Sequence, residues 1–170
     1  LHEPLYLSVV PNVTICLNDT ATIQVFTTGG LQPYSYNWSN GLSDSSFHNV
    51  SPLSTTTYTV NVTSGTTTCE DSVNVTVNSP TIDLGADTTL ICDGSSYTIN
   101  GGSIYSTYLW SDSSTNSTLT VTTAGTYSVT RTDANGCSVS DSMVIDILDV
   151  SIVQNDTTIC EGDSLDLFLD

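Results

Sequence analysis

The chain has 170 residues, with 18 Asp and Glu against a single basic residue, Arg131, and its formal net charge is −17. That balance repels nucleic-acid phosphates and anionic lipid headgroups, and no apolar run of about 18 residues exists to span a bilayer. Because hydrophobic residues make up 38% and charged residues only 11%, packed cores are expected, and the acidity reads as a solvated surface.

Short runs of Val, Ile, Thr and Tyr alternate with clusters of Gly, Asn, Asp, Ser and Pro, and helical periodicity is absent. The pattern predicts strands at 5–10, 22–27, 34–39, 57–63 and 69–77, with GGLQP at 29–33 as a loop and Ser79-Pro80 as a boundary. Further strands are predicted at 81–84, 88–91, 97–100, 107–111, 118–122, 126–132 and 138–147, with DANG at 133–136 as the clearest hairpin turn. Side chains along a strand alternate between faces, so Tyr127 and Val129 point inward and Arg131 lies near the rim of the core.

The chain also repeats. YNWSNG at 36–41 answers YLWSDS at 108–113, and TTYTVNVT at 56–63 answers GTYSVTRT at 125–132. Trp38 and Trp110 are 72 residues apart, Tyr58 and Tyr127 are 69 apart, and Cys69 and Cys137 are 68 apart. A fixed period with landmarks in one order indicates tandem copies of a small domain. Three segments are expected: a domain at 1–79, a second at 80–148, and the opening strands of a third, truncated repeat at 149–170. The last segment ends in mid-strand, as in an excerpt from a longer array. Many short strands per repeat, seven in the second, with a tryptophan on one central strand of each repeat, predict an all-β chain of tandem immunoglobulin-like sandwiches. Trp38, Trp110, Tyr58 and Tyr127 are then core anchors rather than exposed platforms for sugar rings.

Three motifs carry a resemblance: GGLQPYSYNWSNG at 29–41, DTTLICDG at 87–94 and GTYSVTRTDANGC at 125–137. In order and spacing they resemble the PKD-like, immunoglobulin-like adhesin repeats of large type IX-secreted surface proteins of Bacteroidota. The first repeat departs from the form, with GTTTCED at 65–71 where the second has DANGC. The resemblance implies secretion and a place in cell-surface stalks or adhesive filaments. It also implies O-glycosylation at Ser or Thr after Asp and before a small aliphatic residue, Met or Thr. The candidates are Thr20, Ser72, Thr88, Ser142, Thr157 and Ser164.

Five cysteines fall in two classes: Cys16, Cys92 and Cys160 near the opening of each unit, and Cys69 and Cys137 before the last strand of each complete unit. No CxxC spacing suggests zinc, so disulfides in an oxidising exterior explain them better. Cysteine is also the only covalent staple, since a chain without lysine cannot form Lys-Asn isopeptide bonds. Pairing within repeats joins Cys16 to Cys69 and Cys92 to Cys137, leaving Cys160 for a partner elsewhere. However, a sandwich of seven-residue strands is about 23 Å long, whereas a disulfide needs Cα atoms within about 7 Å. Pairing between repeats, Cys16 with Cys137 and Cys92 with a third-repeat cysteine, is the alternative. Both remain open at this level.

No enzyme is expected. His2 is terminal and His48 falls in a Ser/Asn loop, so no catalytic triad can be drawn, and no phosphate-binding glycine loop is present. No cofactor is required. Calcium is conceivable at Asp133 with Asn135, or at Asp83, Asp87 and Asp149, although no EF-hand pattern stands behind it. The leading reading is a non-catalytic repeat of an extracellular surface stalk or filament, partnered by neighbouring repeats or copies of itself. The second is a carbohydrate-binding or targeting module attached to a secreted enzyme, with surface glycans as partners.

Overall fold

The structure, a computed structural model, describes residues 3–102 and 107–148. The predicted third repeat at 149–170, with Asp149, Thr157, Cys160 and Ser164, lies outside the described residues, as does His2. By compactness the chain divides into two units. Unit 1 comprises Leu1–Pro80 with Ala134–Cys137, and unit 2 comprises Thr81–Asp133 with the chain from Ser138 onward.

Unit 1 contains strands β1 (Tyr6–Val9), β2 (Val13–Cys16), β3 (Ala21–Thr28), β4 (Tyr34–Trp38), β5 (Phe47–Val50), β6 (Thr56–Ser64) and β7 (Thr67–Asn78), with a short 3-10 turn at Ser39–Gly41. Two sheets form, in the orders β1-β3-β5 and β2-β7-β6-β4. All neighbours are antiparallel except β2, which runs parallel to β7. Strand β6 shows how the sequence builds the core. In TTYTVNVTS, Tyr58, Val60, Val62 and Ser64 are buried while the intervening Thr and Asn residues are partly exposed. Tyr58, Val60 and Val62 share a core with Ile23 and Val25 of the facing sheet and with Trp38, Val73 and Val75. Each such fully buried aliphatic side chain contributes about 1.5–3 kcal/mol.

Unit 2 contains β8 (Thr88–Cys92), β9 (Tyr97–Asn100), β10 (Thr107–Trp110), β11 (Thr118–Val121), β12 (Gly125–Thr132) and β13 (Ser138–Leu148). Its sheets are β9-β11 and β10-β12-β13-β8, and β8 again runs parallel to the last strand. Ile99, Leu119 and Val121 of one sheet close on Trp110, Val129, Met143 and Ile145 of the other.

Two strands, β2 and β5, were not expected. Each has four residues. Their position next to β7 and β3 depends on pairing that sequence pattern does not reveal. Conversely, 81–84 forms no strand. There the Asp83 carboxylate accepts the Gly85 N–H at 2.8 Å, and the Leu84 N–H is donated to Asp141 Oδ2 at 2.8 Å. These local side-chain partners replace a ladder.

Candidate functional site

The registers of the two units can be superposed without ambiguity. Tyr58 pairs with Val73 and Tyr127 with Met143; Trp38 pairs with Val60 and Trp110 with Val129. On this frame Cys16 stands beside Asn78, five residues past Val73, and Cys92 beside Leu148, five residues past Met143. The equivalence extends to the turns that follow. Leu17 N–H bonds to Asn78 O (3.0 Å) and Asp93 N–H to Leu148 O (3.2 Å); Asp19 N–H bonds to Cys16 O and Ser95 N–H to Cys92 O, both at 3.0 Å. The third residue of each turn has positive φ, Asn18 at 72° and Gly94 at 74°, a conformation Asn and Gly tolerate best.

The hairpin cysteines are not equivalent. Strands β6 and β7 are joined by Gly65 and Thr66 alone, and Cys69 lies inside β7 opposite Val62. Strands β12 and β13 are joined by a five-residue turn that ends in Cys137. Counted from Val73 and Met143, the counterpart of Cys137 is Thr67. The expectation that both cysteines precede the last strand therefore holds for Cys137 and fails for Cys69, because the first repeat has the shorter turn.

Cys16 is bonded to Cys137, with Cα atoms 5.4 Å apart across a sequence separation of 121. This replaces both within-repeat pairings. Cys69 and Cys92 carry free thiols, half-buried and exposed respectively. The Cys69 Sγ lies 3.9 Å from Leu5 O. Cys137 is buried at 1% exposure, in a segment that belongs to unit 1.

Trp38 and Trp110 are 3% and 2% exposed, which leaves no ring face open for stacking on a sugar. Their indole N–H groups are donated to Ser45 O and Asn116 O, each at 2.8 Å. Tyr58 is buried and Tyr127 half-buried; the latter's hydroxyl reaches Thr123. His48 does not lie in a loop: it sits in β5, half-buried, edge-on to Trp38 at 5.9 Å between ring centroids, with Nε2 2.9 Å from Ser43 O. It is a packing residue. Arg131, also half-buried, donates from Nη2 to Thr81 O at 2.9 Å.

The exposed aromatic residues are others. Tyr6, Phe26 and Phe47 are 62%, 51% and 54% exposed. Tyr6 pairs with Thr28 and Phe47 with Gln24, each two residues from Phe26, so the three rings run diagonally over the outer face of the β1-β3-β5 sheet. Diagonal neighbours on one face lie about 7–8 Å apart. Gln24, Asn49 and Thr22 share that face, and the Thr22 hydroxyl is bonded to Asn49 Oδ1 at 2.8 Å. The alternation in TIQVFTT, with Ile23 and Val25 inward, was the available signal for an outward Phe26. A pocket of about 380 Å³ near the GGLQP loop is flanked by Glu3, Leu5, Leu31 and Thr67 and gathers no catalytic set.

The four candidate modification sites among the described residues, Thr20, Ser72, Thr88 and Ser142, are all exposed. Ser72 and Ser142 occupy equivalent positions opposite Thr59 and Ser128, and each donates its N–H to the preceding Asp at 2.8 Å. Asp83 is occupied by its own turn, and among the described residues no three His, Cys, Asp or Glu side chains cluster as metal ligands.

No family model matches the chain, and no curated protein does. Solved structures do. An I-band fragment of titin aligns at 16% identity over 85% of this chain, with a TM-score of 0.53. The chain spans 66% of that fragment's length. Immunoglobulin domains 1 to 5 of Sidekick-1 align at 13% identity over 91% of this chain and 41% of that one, with a TM-score of 0.49. The first two immunoglobulin domains of DIP-gamma align at 12% identity over 83% and 97%, with a TM-score of 0.48. At these identities the titin likeness speaks for fold alone. The chain is all-β and immunoglobulin-like.

Proposed function

We propose that this chain is a non-catalytic structural segment of an extracellular surface protein, built from tandem immunoglobulin-like repeats whose partners are neighbouring repeats or further copies. The Cys16–Cys137 bond carries the reading, because it ties the opening of one sequence repeat to the turn of the next and is chemically suited to an oxidising exterior. The finer form is an adhesin stalk or filament of the type IX-secreted Bacteroidota class. It rests on the motif resemblance and on the net charge of −17, which favours a hydrated surface. Protease treatment of intact cells tests it. Release of peptides from this chain before lysis supports the reading, and release only after lysis ends it.

On the same reading, O-glycans occupy at least one of the Asp-(Ser/Thr) sites, and the exposure of Thr20, Ser72, Thr88 and Ser142 makes these reachable by a transferase. Glycopeptide mass analysis of native material decides. Hexose-type additions at one or more of them are expected, and unmodified mass at every candidate site, Thr157 and Ser164 included, refutes the proposal.

The second reading, a carbohydrate-binding module, is favoured by the Tyr6–Phe26–Phe47 diagonal with amide side chains beside it. Aromatic faces flanked by Gln and Asn suit the apolar faces and hydroxyls of pyranose rings. Selective binding on a glycan array, lost in Phe26→Ala, would establish it; equal signals for both proteins would remove it.

A further inference from the structure

The opening cysteines of the two repeats are placed alike, but only one is bonded. Cys16 and Cys92 end parallel strands of the same register, pair with Asn78 and Leu148, and enter turns with matching hydrogen bonds. Cys16 takes as its partner the turn cysteine of the repeat that follows it in sequence. Cys92 is exposed and free. We propose that Cys92 is the first half of a second disulfide of the same kind, formed with the turn cysteine of a further immunoglobulin-like repeat downstream in the same polypeptide. The array is then laced by bonds from each opening cysteine to the next repeat's β12–β13-type turn. This deepens the proposed structural role and rests on it.

The remaining cysteines of the chain do not satisfy Cys92. Cys137 is already used. Cys69 is not in a turn: it sits within β7 opposite Val62, two residues beyond the position that corresponds to Cys137. Cys160 lies in DTTICEGD at 156–163, which repeats the opening DTTLICDG at 87–94. It is therefore another opening cysteine, and marks the repeat whose own turn would supply the partner. The required partner is a cysteine at the end of a five-residue β-hairpin turn, as in DANGC at 133–137.

The chemistry balances as an ordinary two-electron oxidation. Cys92 and the turn cysteine each lose a proton, one S–S bond forms, and the two electrons reduce a disulfide oxidant to its dithiol. The oxidant is a disulfide-carrying oxidoreductase or glutathione disulfide, and the exposed Cys92 thiol is open to mixed-disulfide attack.

The test uses native protein quenched with N-ethylmaleimide, digested without reduction and mapped by tandem mass spectrometry. The expected result is nearly complete loss of the alkylated Cys92 peptide and its recovery joined to a turn-cysteine peptide from a further repeat. On a non-reducing gel the protein should run at its single-chain mass. A Cys92 peptide that is alkylated, capped by glutathione, or joined to Cys69 or Cys160 overturns the proposal, as does a bond to a separate chain. Cys16–Cys137 in the same digest separates the two levels of inference. If it is present while Cys92 is free, only this proposal fails; if Cys16 is found joined to Cys69, the structural reading fails with it.

Discussion

Cys16 stands opposite Asn78 in the parallel pairing of β2 with β7. Cys69 lies nine residues earlier on β7, so at about 3.3 Å per residue the two cysteines are about 30 Å apart along the sheet. A disulfide tolerates a Cα separation of about 7 Å. The same holds for Cys92, which faces Leu148, eleven residues beyond Cys137. The parallel return of the opening strand along the last one is thus what forbids pairing within a repeat and leaves the turn of the following repeat as the partner.

Removing that bond should be costly. Cys137→Ser frees a loop of 121 residues and should lower stability by about 2–5 kcal/mol on the chain-entropy account. Urea unfolding with and without reductant measures it, with Cys69→Ser as the comparison. Because Cys69 carries a free thiol, its replacement should shift stability by less than about 1 kcal/mol. Equal losses in the two variants would contradict the connectivity.

Trp110→Ala should destabilise by about 3–5 kcal/mol, since it empties a ring-sized space in the core. It also leaves Asn116 O without the indole donor now 2.8 Å away. Trp38→Ala should behave alike, with the added loss of its edge contact to His48. A change below about 1 kcal/mol in either variant would contradict the buried placement.

The GGLQP loop depends on two missing side chains. Gly29 has φ +70°, and a Cβ there would lie 2.0 Å from Pro4 O; at Gly30 it would lie 2.4 Å from Ser64 Oγ. That hydroxyl donates to Leu31 O at 2.8 Å and accepts from Leu31 N–H at 2.6 Å, so it is not free to retreat. Gly29→Ala should therefore cost well over about 2 kcal/mol, whereas Gly41→Ala, with a similar φ of +72° but open space around it, should cost only the backbone strain of about 1–2 kcal/mol. Thermal unfolding of the two variants provides the comparison.

Burial holds the Tyr58 phenol above its ordinary value. A raised acid favours the folded state while neutral, so this contribution is complete below the unfolded pKa near 10 and is lost as pH climbs through the higher folded value. Stability of unit 1 should fall more steeply above about pH 10 than in Tyr58→Phe. Identical alkaline profiles would show that the phenol is not what responds.

Much of this molecule was legible in its sequence. Alternation in TTYTVNVTS and GTYSVTRT is a local property of extended chains, and it placed β6 and β12 and selected Tyr58 and Val129 for the cores. The recurrence of the tryptophans revealed repetition because each copy packs an equivalent ring. Alternation also implied that Phe26 points outward, but not that Tyr6 and Phe47 join it, since that depends on which strands become neighbours. Tertiary structure decided the remainder. The short strands β2 and β5 exist through pairing partners distant in sequence, and the stretch at 81–84 lost its strand to the carboxylates of Asp83 and Asp141. Spacing made Cys69 and Cys137 look equivalent, but turn length sets strand register, and a two-residue turn against a five-residue one carries Cys69 into the sheet. Disulfide connectivity is a matter of distance in space, which for residues 121 apart in sequence only the folded chain determines.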